Sequence, residues 1–141
     1  MRLIILMVAF IVIGTGCSFG DNLDEMNKNR VLSEMKAERE DQYHLYTFWT
    51  SFPTENWEEA DIDDELKNEF EAYHTIDYSK ADLRHISFKQ KESAGEYING
   101  LDINEFPTFI VLDHEGIILR TTDVNQINEF LKEIPREAFK E

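Results

Sequence analysis

From residue 43 onward, apolar runs alternate with charged stretches in a pattern that predicts a strand and then a helix. The first run, Tyr43–Trp49, is rich in aromatic residues and has little polar alternation, which is typical of a strand buried on both faces. Apolar residues then recur at helical spacing and predict one buried stripe: Ile62, Leu66, Phe70 and Tyr73. Acidic residues at 61 and 63–65 crowd the start of this helix, where its dipole favours negative charge. Trp57 is expected to pack at or just before that start.

Residues 75–90 contain two short stretches in which apolar and polar residues alternate, and either of them could form the next strand. Arg84–Gln90 is the better candidate because it leaves room for a complete crossover helix before it. Glu92–Asn99 then has the pattern of a short helix.

The last third of the chain predicts a hairpin and a closing helix. Pro107–Asp113 is a strongly apolar strand, and a turn with Gly116 at a position of positive φ leads into the strand Gly116–Thr122. Asp123 is placed to cap a helix whose apolar positions extend to residue 134, and Pro135 marks its end.

This order of elements is β-α-β, a connecting helix, and then β-β-α. The first two strands must be parallel because a helix connects them, whereas the last two form an antiparallel hairpin. The predicted fold class is therefore α/β, a mixed sheet with helices on both faces.

The N-terminus has the pattern of an export signal. Arg2 precedes an unbroken apolar run, Leu3–Ile13, whose length suits a signal peptide and is short for a membrane span. Small residues follow, and then Cys17. This arrangement resembles a bacterial lipobox, in which a small residue such as Gly16 precedes the lipidated cysteine, although Gly14 stands where that motif usually has Leu.

The resemblance implies a signal peptide over residues 1–16 and a lipid anchor, with acyl chains such as palmitate, on Cys17. Two acyl chains hold a protein on a bilayer stably. The alternative is an uncleaved apolar span that extends through Phe19, at the lower limit of length for crossing a membrane. Both alternatives predict that the rest of the chain lies at the extracytoplasmic face of the cell membrane.

Composition narrows the range of partners. The 141-residue chain has 29 acidic and 14 basic residues and a formal charge of −15, which argues against a nucleic-acid partner because phosphate binding needs clustered cations. Cys17 is the only cysteine, so an intrachain disulfide is impossible. The charged segment 17–41 fits either a solvated helix or a flexible tether between the anchor and a domain over residues 42–135, with a tail at 136–141.

The segment Ile103–Thr108, INEFPT, together with the hairpin that follows it, resembles the thioredoxin family. An aliphatic residue lies four positions before Pro107, an apolar residue directly precedes it, and Thr108 follows, as in the family segment that contains a cis-proline. With the element order, the resemblance covers about residues 42–134. It implies a thioredoxin-like fold and a cis Phe106–Pro107 bond, next to which family members pair backbone groups with an extended peptide.

The chain departs from the family where the redox pair belongs. After the first strand, at the start of the next helix, the family has a Cys-x-x-Cys motif, and this chain has Thr50–Asn56, TSFPTEN. Without a thiol the usual disulfide exchange is impossible. Ser51 and Thr54 are better explained by turn formation and helix capping than by catalysis, because no base is found near them in the sequence.

The resemblance therefore predicts a binding function at the face where these two segments meet. The candidate peptide-binding residues are Ser51, Phe52, Pro53, Trp57, Phe106, Pro107 and Thr108. The predicted protein is a membrane-anchored cell-envelope lipoprotein with a redox-inactive domain and a protein or peptide partner. The alternatives are a peptidoglycan-associated lipoprotein with a structural role and a thiol-independent enzyme of the family, although no catalytic motif is recognisable.

The sequence predicts neither a metal site nor a cofactor. The acidic run Asp61–Glu65 lacks the Gly and Glu that a calcium-binding EF-hand needs at its sixth and twelfth positions. The four histidines, at 44, 74, 85 and 114, have no ligand spacing along the chain. His44 and His85 would become neighbours if their strands are adjacent, which leaves a transition-metal site conceivable, but ordinary surface histidines are the simpler interpretation.

Overall fold

The computed structural model describes residues 18–81 and 83–134. The predicted signal peptide, the lipidation site Cys17, nearly all of the alternative span, Pro135 and the tail at 136–141 lie outside the described residues. None of the described helices combines the length and the apolar character that crossing a bilayer requires.

The described residues form an α/β fold around one four-stranded sheet. Its strands are β1 (His44–Trp49), β2 (His85–Gln90), β3 (Thr108–Leu112) and β4 (Ile117–Thr121), in the order β2-β1-β3-β4. The β1 and β2 strands are parallel, and β3 pairs antiparallel with both β1 and β4. The mixed sheet and its strand directions confirm the prediction from the sequence.

Four α-helices accompany the sheet within the described residues: α1 (Ser18–Met35), α2 (Asp64–Thr75), α3 (Gly95–Gly100) and α4 (Val124–Glu133). Two single 3₁₀ turns, Trp57–Glu59 and Tyr78–Lys80, lie in the crossover between β1 and β2. Helix α3 is shorter than the sequence suggested.

Side-chain caps fix the starts of two of these helices. The Asp63 carboxylate accepts a hydrogen bond from the Leu66 amide at 2.7 Å, and the Asp123 carboxylate accepts one from the Asn125 amide at 2.8 Å. The cap predicted at Asp123 is confirmed. The sequence predicted that Ile62 belongs to the helix. This is wrong, because Ile62 precedes the capping residue of α2.

The central strands separate two apolar clusters. Helices α1 and α3 cover one face of the sheet, where the cluster includes Val31, Met35, Tyr46, Phe48, Leu101, Ile103, Ile110 and Leu112. Helices α2 and α4 cover the other, where it includes Leu45, Trp49, Phe109, Val111, Ile127 and Leu131. All five residues of β3 are buried, as expected for a strand covered on both sides. The prediction of helices on both faces is confirmed.

Part of the charged N-terminal segment belongs to the compact unit. The segment is helical over Ser18–Met35, and Val31 and Met35 in its last turns are almost completely buried. Gly100 of α3 approaches α1 so closely that a Cβ atom on it would lie 3.0 Å from Val31 Cγ2. The segment is therefore helical over Ser18–Met35, but its C-terminal end packs on the domain and is not solvated as expected, whereas Met26 is exposed.

The β3–β4 hairpin closes as the sequence predicts. The Asp113 carboxylate accepts hydrogen bonds from the amides of Glu115 and Gly116, and Gly116 has a φ of 152°. A residue with a side chain adopts that backbone conformation only with strain, so glycine is required there.

Candidate functional site

The loop before β3 and the end of β1 lie on either side of an open cleft of about 580 Å³. Thr50, which directly follows β1, lines one side, and Asn104, Glu105 and Phe106 line the other. The pairing of Phe48 with Thr108 in the sheet brings the two segments together. The sequence correctly predicted that the end of the first strand lies beside this loop.

The peptide bond between Phe106 and Pro107 is cis, which confirms the expectation from the INEFPT segment. The Thr108 hydroxyl donates a hydrogen bond to the Glu105 carbonyl at 2.6 Å and thereby holds the loop. The Lys91 Nζ atom lies 5.5 Å from the centre of the Phe106 ring. Within residues 18–81 and 83–134, the N–H and C=O groups of Phe106 have no hydrogen-bond partner.

A second depression of about 560 Å³ continues along the same loop. It shares Asn104, Glu105 and Thr122 with the cleft, and Thr108 and Arg120 also line it. The loop before β3 is therefore bordered by open surface at Asp102 and from Asn104 to Phe106, which gives an extended ligand room to lie along it.

Glu69 is a cleft residue that the sequence analysis missed. The residue is 5% exposed, and its Oε1 accepts a hydrogen bond from the Thr50 amide. Burial raises the pKa of the Glu69 carboxyl, and the nearby Asp63 adds to this effect, whereas hydrogen bonds from Thr50 oppose it. A signal for this residue was present in the sequence, since Glu69 is a charged residue at helical spacing from Leu66 and Tyr73 on the apolar stripe of α2.

The cleft has a predominantly acidic lining. Asp63, Glu65 and Glu105 line it together with Glu69, and Lys91 is the one cation among the lining residues described. Since the whole chain also carries an excess of negative charge, cationic groups are attracted to this surface in preference to anionic ones.

Two of the predicted site residues, Phe52 and Trp57, do not line the cleft. Phe52 packs against Tyr73 with ring centres 6.1 Å apart, at the edge of the core between the sheet and α2. Trp57 packs edge-on against Phe70 and stacks on His74, so it contacts the middle and end of α2 and not its start. Their ring contacts are therefore with α2.

The remaining predicted residues do not line the cleft and are buried to different extents. Ser51, Pro53 and Pro107 are half-buried and lie outside the cleft lining, and Thr108 is buried but lines the adjoining depression. Of the predicted set, Phe106 is therefore the residue that directly lines the cleft, with Thr50 and Glu69 as additions from the structure.

Elsewhere on the sheet, His44 and His85 are direct neighbours. They are paired in the register of β1 and β2, and their ring centres are 5.4 Å apart. The sequence predicted that these two histidines would be neighbours only if their strands were adjacent. Among the residues described, no group of three or more His, Cys, Asp or Glu side chains is arranged to bind a metal ion.

The cleft lacks the chemical group that thioredoxin-like redox enzymes use. The sequence has no cysteine other than Cys17, so no thiol follows β1, and the described residues that line the cleft include none. The arrangement offers hydrogen-bonding groups, an aromatic wall and negative charge. Comparison of the chain with protein-family models and with curated proteins yields no match to either.

Proposed function

We propose that this chain is a bacterial lipoprotein, anchored through Cys17 at the extracytoplasmic face of the membrane, whose domain binds an extended peptide segment of a protein partner. The domain is thioredoxin-like and redox-inactive, and the peptide lies in the cleft between Thr50 and Phe106. The strand order, the cis bond before Pro107 and the helices on both faces all agree with what the resemblance implies.

One observation carries the binding proposal. Phe106 lines the cleft and offers a backbone donor and a backbone acceptor that have no partner among the described residues. An extended peptide recognises such groups by forming main-chain hydrogen bonds, as in β-strand addition. The adjoining depression at Thr108 and Arg120 gives such a peptide room to continue along the loop.

Binding is a better conclusion than catalysis because of the groups that line the cleft. Disulfide exchange needs a thiolate nucleophile, and the sequence offers none at this position. Glu69 is the titratable group with a shifted pKa in the cleft, but its carboxylate is engaged by the Thr50 amide at the end of β1.

A pair of matched substitutions tests the location of the site. A random dodecapeptide library is selected against the full chain in detergent, and the affinities of the selected peptides are then measured. Thr50→Trp fills the cleft and should weaken binding by about tenfold or more. Thr75→Trp places the same bulk in a separate depression beside Trp57 and should leave affinity within about twofold.

Three results would contradict the proposal. Selected peptides that are weakened by Thr75→Trp and unaffected by Thr50→Trp would place the site at Trp57. Turnover in an insulin-reduction assay would favour an enzyme. Retention on purified peptidoglycan without any selected peptide would favour the structural role.

A further inference from the structure

Two histidines face each other across the edge of the sheet, away from the cleft. His44 of β1 and His85 of β2 are directly paired in a parallel ladder, so their side chains project from the same face. The ring planes are inclined at 56°, and His85 is exposed to solvent whereas His44 is half-buried. The Tyr46 ring lies 5.5 Å from the His85 ring and forms one wall of this arrangement.

The orientation and tautomer of His44 are fixed by the end of α1. Its Nδ1 atom lies 2.9 Å from the carbonyl oxygen of Met35, the last residue of that helix. A carbonyl can only accept, so Nδ1 carries a proton and donates, and Nε2 is the ring nitrogen that remains for a metal ion. Metal-binding histidines are commonly held in this way, with the other ring nitrogen donating to a carbonyl or carboxylate.

The distance between the rings suits a shared ion. Two imidazole nitrogens at about 2.0–2.1 Å from one ion place their ring centres roughly 4.5 Å apart at a right angle and roughly 5.3 Å apart at a tetrahedral angle. The observed separation is 5.4 Å. His85 is exposed to solvent, so an ion can reach its ring from outside the protein.

We propose that His44 and His85 form a two-histidine site for a divalent transition-metal ion of the copper, nickel and zinc group. Imidazole ligands favour these ions over Mg²⁺ and Ca²⁺, which prefer oxygen. The described residues add no third His, Cys, Asp or Glu ligand, so water completes the coordination and the ion has open positions. Cu²⁺ should bind most tightly, following the general order of divalent-metal affinities.

Copper titration of the full chain in detergent tests the site, with calorimetry for affinity and electron paramagnetic resonance for the ligands. His85→Gln should weaken Cu²⁺ binding by about tenfold or more and reduce the equatorial imidazole nitrogens from two to one. His44→Gln should have the same effect. His74→Gln is the matched control, because His74 is exposed and stacks on Trp57. The Cu²⁺ affinity of this variant should stay within about twofold of the wild-type value.

His85→Gln is the deciding variant, since it changes an exposed side chain, whereas His44→Gln also removes the hydrogen bond to Met35. A wild-type spectrum without two imidazole nitrogens would overturn the proposal. So would equal Cu²⁺ affinities for His85→Gln and His74→Gln. Neither result depends on whether the cleft at Phe106 binds a peptide.

Discussion

At the scale of single residues, Glu69 links the stability of the domain to pH. Burial raises the pKa of its carboxyl above the ordinary value of 4.5, so the folded protein holds this proton at pH values where the unfolded chain has released it. Between the unfolded and folded pKa values, the contribution of Glu69 to the free energy of unfolding therefore falls as pH rises. Below the unfolded pKa both states are protonated and this loss is absent.

Glu69→Gln removes the titration and keeps an acceptor for the Thr50 amide. We expect the variant to be more stable than wild type at pH 7, with the difference shrinking towards zero as the pH falls to 4, in urea unfolding of the full chain at several pH values. Glu71→Gln makes the same change of charge on an exposed site of α2 and should alter stability by less than about 0.5 kcal/mol. A difference for Glu69→Gln that stays constant with pH would contradict the raised pKa.

Glu69→Ala tests the hydrogen bond separately from the charge. This change leaves the partly buried Thr50 amide without its acceptor at the end of β1, and the loss of a hydrogen bond to a charged group costs roughly 1.5–3 kcal/mol. We therefore expect Glu69→Ala to lower the free energy of unfolding relative to Glu69→Gln at every pH. Equal stabilities for the two variants would show that water replaces the carboxylate at no cost.

At the scale of elements, the contact between α1 and α3 makes the charged N-terminal helix part of the domain. Gly100→Ala would place a methyl group 3.0 Å from Val31 Cγ2, and Val31 is buried and β-branched, so it cannot yield easily. We expect a loss of about 1–3 kcal/mol in the free energy of unfolding. Gly95→Ala, in the same helix with open space around it, should be neutral or raise stability by up to about 1 kcal/mol.

A double-mutant cycle separates packing from helix propensity. In a Val31→Ala background the steric conflict is gone, so Gly100→Ala should cost less there than in wild type. Equal effects of Gly100→Ala in the two backgrounds would show that α1 does not pack on α3 in solution.

The elements that were predictable from the sequence are those specified by local patterns. The strand Thr108–Leu112, the turn at Gly116 and the cap at Asp123 each follow from adjacent residue types, and the structure places them within a residue or two of the prediction. The packing of Val31 on Gly100 depends on two segments that are distant in sequence, and the charged surroundings of Val31 obscured it.

The same distinction explains how much of the candidate site was predictable. The meeting of Thr50 with Phe106 was predicted from the resemblance to the thioredoxin family, and the pairing of β1 with β3 accounts for it. The positions of Phe52 and Trp57 depend on which way a loop folds against α2, and nothing in the local pattern fixes that direction. To predict Glu69 as a cleft residue, one would have had to notice that it is a charged residue on the apolar stripe of α2.

At the scale of the whole molecule, the net charge of the chain opposes contact with an anionic membrane, whereas the proposed lipid anchor favours it. The proposed cleavage after residue 16 would take away one positive charge, Arg2, from a chain that is already strongly acidic, so that an anionic bilayer would repel the domain. In the proposed lipoprotein, attachment therefore comes from hydrophobic insertion of two acyl chains on Cys17. We expect a domain that is tethered and repelled in this way to leave its acidic cleft accessible to a partner with basic groups.

Cys17→Ser tests the anchor on which this arrangement depends. Expressed in a bacterial host fed with labelled palmitate, the wild-type chain should carry label and partition into detergent, whereas the variant should lose the label and move to the aqueous phase. Ser18→Ala changes the adjacent residue, keeps the thiol and should behave as wild type. Label that persists on Cys17→Ser would refute lipidation at this residue, and an unlabelled wild-type chain that stays in the membrane fraction would show that residues 3–19 act as an uncleaved span.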